Sequence, residues 1–131
     1  MRRALVKTLS GALAACALAA CATQGAVAPP PAEKGYIIAE ISVTDPAAYE
    51  AYKAAVGPMV ARFGGRYLVR GGQTTPKEGA APSGRVVVLE FESYAAAQIF
   101  YDSSAYQAIL PLRTRNATSR IFIVEGFAPA P

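Results

Sequence analysis

The sequence predicts an α+β domain: a four-stranded antiparallel sheet with helices on one of its faces. Three observations predict it. Residues 36–43 and 85–92 alternate or concentrate apolar side chains as half-buried strands do. Apolar residues recur at helical spacing from Tyr49 to Phe63 and again after Tyr94. The segments follow one another as strand, helix, strand, strand, helix, strand, the βαββαβ order of two interleaved strand-helix-strand units.

Before this domain lies a different kind of sequence. Arg2, Arg3 and Lys7 precede an Ala/Leu-rich run from Thr8 to Ala22, which is shorter than the roughly 20 residues a bilayer span requires. Charged and apolar regions in that order make an export signal. Leu18-Ala19-Ala20-Cys21 has the form of the lipobox of bacterial lipoproteins, where the chain is cut before the cysteine and the cysteine is acylated. Leu13-Ala14-Ala15-Cys16 shares that form, and Ala20-Cys21-Ala22 also suits ordinary signal cleavage. Residues 1–20 therefore read as a signal peptide, Cys21 as the lipidated residue, and the protein as anchored in the bacterial envelope facing the periplasm. Secretion into the periplasm is the alternative. Residues 21–35, with Pro29-Pro30-Pro31 at their centre, read as a tether extended at about 3.1 Å per residue. The domain spans 36–127, and 128–131 form a tail.

Composition narrows the function. The chain has 131 residues, 53% of them apolar, enough for one core. Its formal charge is +4. Removing the three leader cations from the thirteen basic residues leaves ten against nine acidic ones. That balance lacks the clustered cations a phosphate backbone demands, so nucleic acid is excluded as a partner. Both cysteines lie in the leader, leaving the domain no disulfide and no thiol nucleophile. With no histidine in the chain, imidazole-ligated haem, zinc sites and Ser-His systems lack their central member, and neither metal nor cofactor is expected.

The elements follow in order. Tyr36 to Val43 is a strand with Ile37, Ala39, Ile41 and Val43 on one face. Asp45 caps a helix whose first position is Pro46. Tyr49, Tyr52, Val56, Met59, Val60 and Phe63 form its core stripe, interrupted by Gly57-Pro58. Phe63 to Gly72 (FGGRYLVRGG) is the corner on which the rest turns: one glycine pair ends the helix, five alternating residues make a strand, and a second pair ends that strand. Gln73 to Gly84 is a hairpin loop, and Arg85 to Glu92 is the strongest strand. Ser93 caps a helix from Tyr94 to about Asp102, Ser104 with Gln107 forms a capping box for another from Ala105 to about Asn116, and Arg120 to Phe127 is the last strand. Helices on one face of such a sheet make the ferredoxin-like arrangement.

Gly35-Tyr36, Asp45-Pro46 with Tyr52, the FGGRYLVRGG corner, Val88-Leu89-Glu90-Phe91, Tyr101-Asp102-Ser103-Ser104 with Tyr106-Gln107, Arg113 and Val124-Glu125-Gly126 together resemble the bacterial domain-of-unknown-function family numbered 1330. The resemblance covers nearly all of Gly35 to Phe127. It implies a ferredoxin-like fold that pairs into a dimeric α/β barrel, in a superfamily that includes small monooxygenases and isomerases. It implies no reaction. Phe100 stands where the family pattern expects a tryptophan, and many relatives lack an export leader.

The residues themselves also argue for pairing. If Ile37, Ala39, Ile41, Val43, Val87, Leu89 and Phe91 face the helices, the opposite face carries Ile38, Glu40, Val86, Val88 and Glu90. The second strand adds either Leu68 with Arg66 and Arg70 or Tyr67 with Val69, and the last strand adds Ile121, Ile123 and Glu125. Such a face is too apolar for water, so a second copy is expected to cover it and enclose a cavity. Glu90 is the candidate general base there, as a carboxylate whose pKa partial burial raises. Arg70, Tyr52, Tyr106 and Arg113 are the candidate ligand-binding groups. The competing reading makes Glu90 and Arg70 a structural ion pair, the tyrosines core residues and Asp45 only a cap. Two functions follow: an envelope-anchored homodimer that binds a small anionic or aromatic molecule in the dimer cavity without converting it, or a cofactor-free oxygenase or isomerase in which Glu90 moves a proton while Arg70 or Arg113 stabilises an oxyanion.

Overall fold

The computed structural model of the chain describes residues 33–127. The signal peptide, Cys21, the tether up to residue 32 and the tail expected from the sequence lie outside the described residues. Seven elements make up the domain: β1 (Gly35–Val43), α1 (Pro46–Arg62), β2 (Arg66–Arg70), β3 (Arg85–Phe91), α2 (Tyr94–Asp102), α3 (Ser104–Thr114) and β4 (Ala117–Glu125). The strands pair antiparallel in the order β2-β3-β1-β4, the ferredoxin-like topology.

β1 opens at Gly35, one residue before the expected Tyr36, because Gly35 pairs with Phe91 on one side and Glu125 on the other, and it is a glycine because the chain passes close to the start of α2. A Cβ on Gly35 would lie 2.3 Å from the Ser93 carbonyl oxygen. β1 then alternates buried and half-buried residues, sending Ile37, Ala39 and Ile41 into the core. Asp45 caps α1 by accepting from the Ala48 amide at 3.0 Å, with Pro46 in the first turn. The helix runs on through the exposed Pro58 and buries Tyr49, Tyr52, Val56 and Val60.

At the end of α1, Gly64 takes a left-handed conformation, φ 74°. Its amide donates to the Ala61 carbonyl at 3.0 Å and the Gly65 amide to the Val60 carbonyl at 2.9 Å. That pair of bonds is a Schellman stop, which turns the chain straight into β2. Gly65 is small for a second reason: a Cβ there would lie 2.5 Å from the Phe91 ring, at the centre of the core.

β2 is irregular. Arg66 pairs with Glu90 and Tyr67 with Leu89, but Val69 then pairs with Val88 and Arg70 with Val87, so Leu68 is an extra residue between them. A bulge inserts one residue and shifts the side-chain alternation beyond it. Neither of the two registers expected for this strand is therefore followed throughout: Arg66 and Val69 pair with the face away from the helices, Tyr67 and Arg70 with the helix face.

The second helical layer is in two pieces, as expected, but its junction lies one residue earlier. Ser103, not Ser104, is the cap of α3, its Oγ accepting from the Tyr106 amide at 3.1 Å while donating to the Phe100 carbonyl at 2.7 Å. Gln107 reaches back to the Tyr101 carbonyl at 2.8 Å. β4 starts at Ala117 rather than Arg120 and ends at Glu125, because its backbone pairs with the whole of β1, from Val43 opposite Ala117 to Gly35 opposite Glu125. This register also corrects the expected face of β4. Ile121 and Ile123 pair with Ala39 and Ile37 on the helix side, and Arg120, Phe122 and Val124 occupy the other.

All helices cover one face of the sheet. Phe91 and Phe100 stack with ring centroids 5.1 Å apart, and Phe63 and Tyr106 pack around Phe100. The phenyl ring at position 100 thus fills the centre of the core.

Candidate functional site

The helix-facing side of the sheet does not close completely against the helices. Between them lies a cavity of about 40 Å³, walled by Ile37, Ala39, Val87 and Leu89 below and by Tyr49, Tyr52, Val56 and Tyr106 above. That space holds on the order of two or three waters, so a ring-sized guest enters only if side chains at the rim move. The rim is where the charges are: Lys53, Arg70 and Arg85 line the same cavity.

Each cation arrives for a reason visible in the local fold. Arg85 heads β3, in phase with Val87, Leu89 and Phe91, so it shares their face. Arg70 reaches that face through the bulge and lies over the Tyr67 ring, 4.5 Å from its centroid. Lys53 sits one position after Tyr52 on α1 and pairs with Glu50 outside the cavity. Among the described residues no Asp or Glu lines the cavity. Among the described residues neither Arg70 nor Arg85 has a carboxylate partner, and the buried Nε of Arg85 has no hydrogen-bond partner at all.

Opposite this rim, the hydroxyls of Tyr52 and Tyr106 meet at 3.1 Å in the interior. Burial, and then the neighbouring Tyr106 hydroxyl, push the pKa of Tyr52 far above the usual phenol range. Burial also raises Tyr49 and Tyr67, against the pull of Arg85 and Arg113 on the first and of Arg70 and Arg85 on the second. These tyrosines are neutral hydrogen-bonding groups at ordinary pH. Behind them Arg113 is buried, 3% exposed, and donates to the Ser119 hydroxyl. Burial opposes its charge, but the hydroxyls of Tyr106 and Tyr52 outweigh that and hold its pKa above the ordinary value.

The structure thus brings Tyr52, Tyr106 and Arg70 to one cavity and places Arg113 directly behind it. Glu90 is elsewhere. It points away from the helices and takes Arg66, not Arg70, as its partner, with Arg66 Nε donating at 2.8 Å. The bulge is the physical reason, since it leaves Arg66 across from Glu90 and carries Arg70 to the other face. The Arg66 hydrogen bond lowers the Glu90 pKa against the opposing effect of desolvation, where a general base would need it raised. Asp45 is a cap.

Lys53, Tyr67 and Arg85 belong to the cavity although the sequence reading did not select them. For Arg85 the signal was present: it is two residues before Val87 on an alternating strand. For Tyr67 and Arg70 it was not, because no residue type announces a bulge at Leu68.

A model of the family described as "Domain of unknown function (DUF1330)" matches residues 34–127. Among solved structures, RPA0582, a protein of unknown function from Rhodopseudomonas palustris, is 21% identical, with a TM-score of 0.57 over 74% of this chain and 85% of its own. Its methylated form gives 20% identity and the same score, 0.57, over 76% and 85%. These show a shared fold. SnoaB, a cofactor-independent oxygenase from Streptomyces nogalater, superimposes at a TM-score of 0.49 and 14% identity, over 76% of this chain and 99% of its own, a likeness too low to argue from. No curated protein matches the chain.

Proposed function

The chain belongs to the DUF1330 family, and on that premise we propose that it is an exported binding domain which takes a small, planar anion into the cavity between its sheet and its helices. The observation that carries this reading is the cavity's lining: aromatic and aliphatic walls, three cations at the rim, and no carboxylate. Arginines held at an apolar cleft without a counter-anion recognise carboxylate or enolate oxygens, while the tyrosine rings offer flat surfaces to an aromatic ring. The site belongs to one protomer.

Calorimetric titration with benzoate and with benzyl alcohol, its neutral counterpart, tests the reading. Benzoate is expected to bind and benzyl alcohol to bind far more weakly. Arg70→Ala and Arg85→Ala should each weaken benzoate by about 10-fold, the worth of one charge-assisted hydrogen bond. Glu90→Gln should leave the affinity unchanged, because that side chain is on the other face. Equal binding of the two probes, or of neither, would sink the proposal.

A further inference from the structure

The two faces of the sheet treat their arginines differently. Away from the helices, Arg66 meets Glu90 at 2.7 Å and Arg120 meets Glu40 at 2.6 Å. On the helix face stand Arg70 and Arg85, and among the described residues no carboxylate pairs with either. The third cation at the cavity rim, Lys53, is already met by Glu50 at 2.5 Å. Two positive charges at one cavity are therefore left without a counter-charge.

The sheet register sets these two side by side. Arg70 pairs with Val87, and Arg85 stands two residues before Val87 on β3, so the arginines are diagonal neighbours on one face, with Cα atoms about 7–8 Å apart. Gly71, at φ 69°, leaves room beside them: a Cβ there would lie 3.0 Å from Arg85 Nε and 3.1 Å from its Nη2. The Arg85 head thus lies along the backbone of the residue that follows Arg70, its buried Nε without a hydrogen-bond partner. Like charges this near repel, and an anion that both can reach relieves the repulsion. Both stand at one end of the cavity. Beyond Arg85 the floor runs through Val87 and Leu89 on β3, and through Ile41, Ala39 and Ile37 on β1, all of them apolar. A carboxylate carried to that inner end would lose its hydration with no cation lining the wall to replace it.

We propose that the molecule bound in the cavity is a planar dianion whose two negative groups are neighbours, such as two adjacent carboxylates, with one group on Arg70 and the other on Arg85 while the apolar remainder points inward. The inference rests on the cavity reading and deepens it. That reading asks for one negative charge; the unpaired arginines ask for two, carried at the same end of the guest.

Three benzene carboxylates test this by calorimetric titration at a pH where every carboxyl group is ionised. Phthalate carries its two carboxylates on neighbouring ring carbons, terephthalate carries the same charge at opposite ends of the ring, and benzoate has a single carboxylate. Phthalate is expected to bind the wild-type protein about 10-fold more tightly than benzoate, the worth of one more charge-assisted hydrogen bond. Terephthalate should bind no more tightly than benzoate. The double variant Arg70→Gln with Arg85→Gln should bind phthalate no better than benzoate, and a thermal melt checks that it is folded; the comparison of isomers on the wild type needs no variant. Phthalate and terephthalate bound alike would overturn the paired site, since overall charge and not its placement would then be recognised. A phthalate affinity no greater than that of benzoate also overturns it and leaves the cavity reading standing, as does a phthalate preference that survives in the folded double variant. A protein that binds none of the three brings down both readings.

Discussion

Tyr52 and Glu90 show how the surroundings of a side chain decide its use. Glu90 looked suited to proton transfer because it stands between Leu89 and Phe91, and burial alone would raise its pKa. A donor directly across the sheet, Arg66, reverses that. Tyr52, by contrast, is neutral because it is buried. Its pKa in the folded protein is raised above the unfolded value of 10.0, so the folded form holds its proton more tightly. The stability this contributes is complete below pH 10 and is lost as the pH rises above it. Thermal melts through an alkaline series should show the wild type losing stability more steeply above pH 10 than Tyr52→Phe. Matching slopes would mean that the hydroxyl is reached by water. At this scale the sequence was informative about residue type: Tyr52, Tyr106 and Arg113 were legible as polar groups on helices that turn toward the sheet. What they face was not, because it depends on contacts between residues more than 50 positions apart, such as Tyr52 and Tyr106, whose separation is 54.

Among the elements, those with local signals came out as expected. Asp45-Pro46 starts α1 and Ser93 starts α2, since each cap is a short-range hydrogen bond to a nearby amide. The FGGRYLVRGG corner is likewise local, and its four glycines are not equivalent. Gly65→Ala should destabilise the domain by about 1–3 kcal/mol, because the new methyl group meets the Phe91 ring where the core cannot yield. Gly72→Ala should change stability by less than about 0.5 kcal/mol, having open space around it. Urea denaturation of the two variants compares them directly, and similar losses would show that backbone freedom, not the contact with Phe91, is what the corner requires. β4 was the element read least well. Ala117 and Ser119 carry no strand signal, yet pairing with β1 draws the strand back to Ala117. Backbone hydrogen bonds to a distant partner override a weak local pattern.

At the scale of the whole molecule, one face of the sheet is left uncovered among the described residues. Away from the helices, Val88 and Ile38 continue into a band with Leu68, Val69, Phe122 and Val124, which are 45, 38, 43 and 40% exposed. Arg66–Glu90 and Arg120–Glu40 flank it as ion pairs. An apolar band bordered by charges suits a second copy of the same sheet. Light scattering at micromolar concentration should therefore give twice the domain mass, and Phe122→Glu should halve it; a wild-type monomer would remove the case for pairing. Anchoring is a separate matter. Cys21→Ser should release the protein from membranes if Cys21 is acylated, and unchanged fractionation would count against acylation there. Composition could suggest both a hidden face and an anchor, because each depends on residue type alone. It could not tell which strand residues belong to the hidden face, because Leu68 resets the count. The bulge at Leu68 makes the side of the sheet on which Arg70 stands a matter of parity. Drawing Leu68 into the ladder as a regular strand residue would put Arg70 on the side of Arg66 and take a cation from the cavity rim with no charged residue substituted, whereas deleting Leu68 would leave Arg70 across from Val87. Two relatives of equal length could keep every arginine in this strand and still differ in which side is charged if only one of them bulges, so the pairing of the strand is as consequential as a replaced residue.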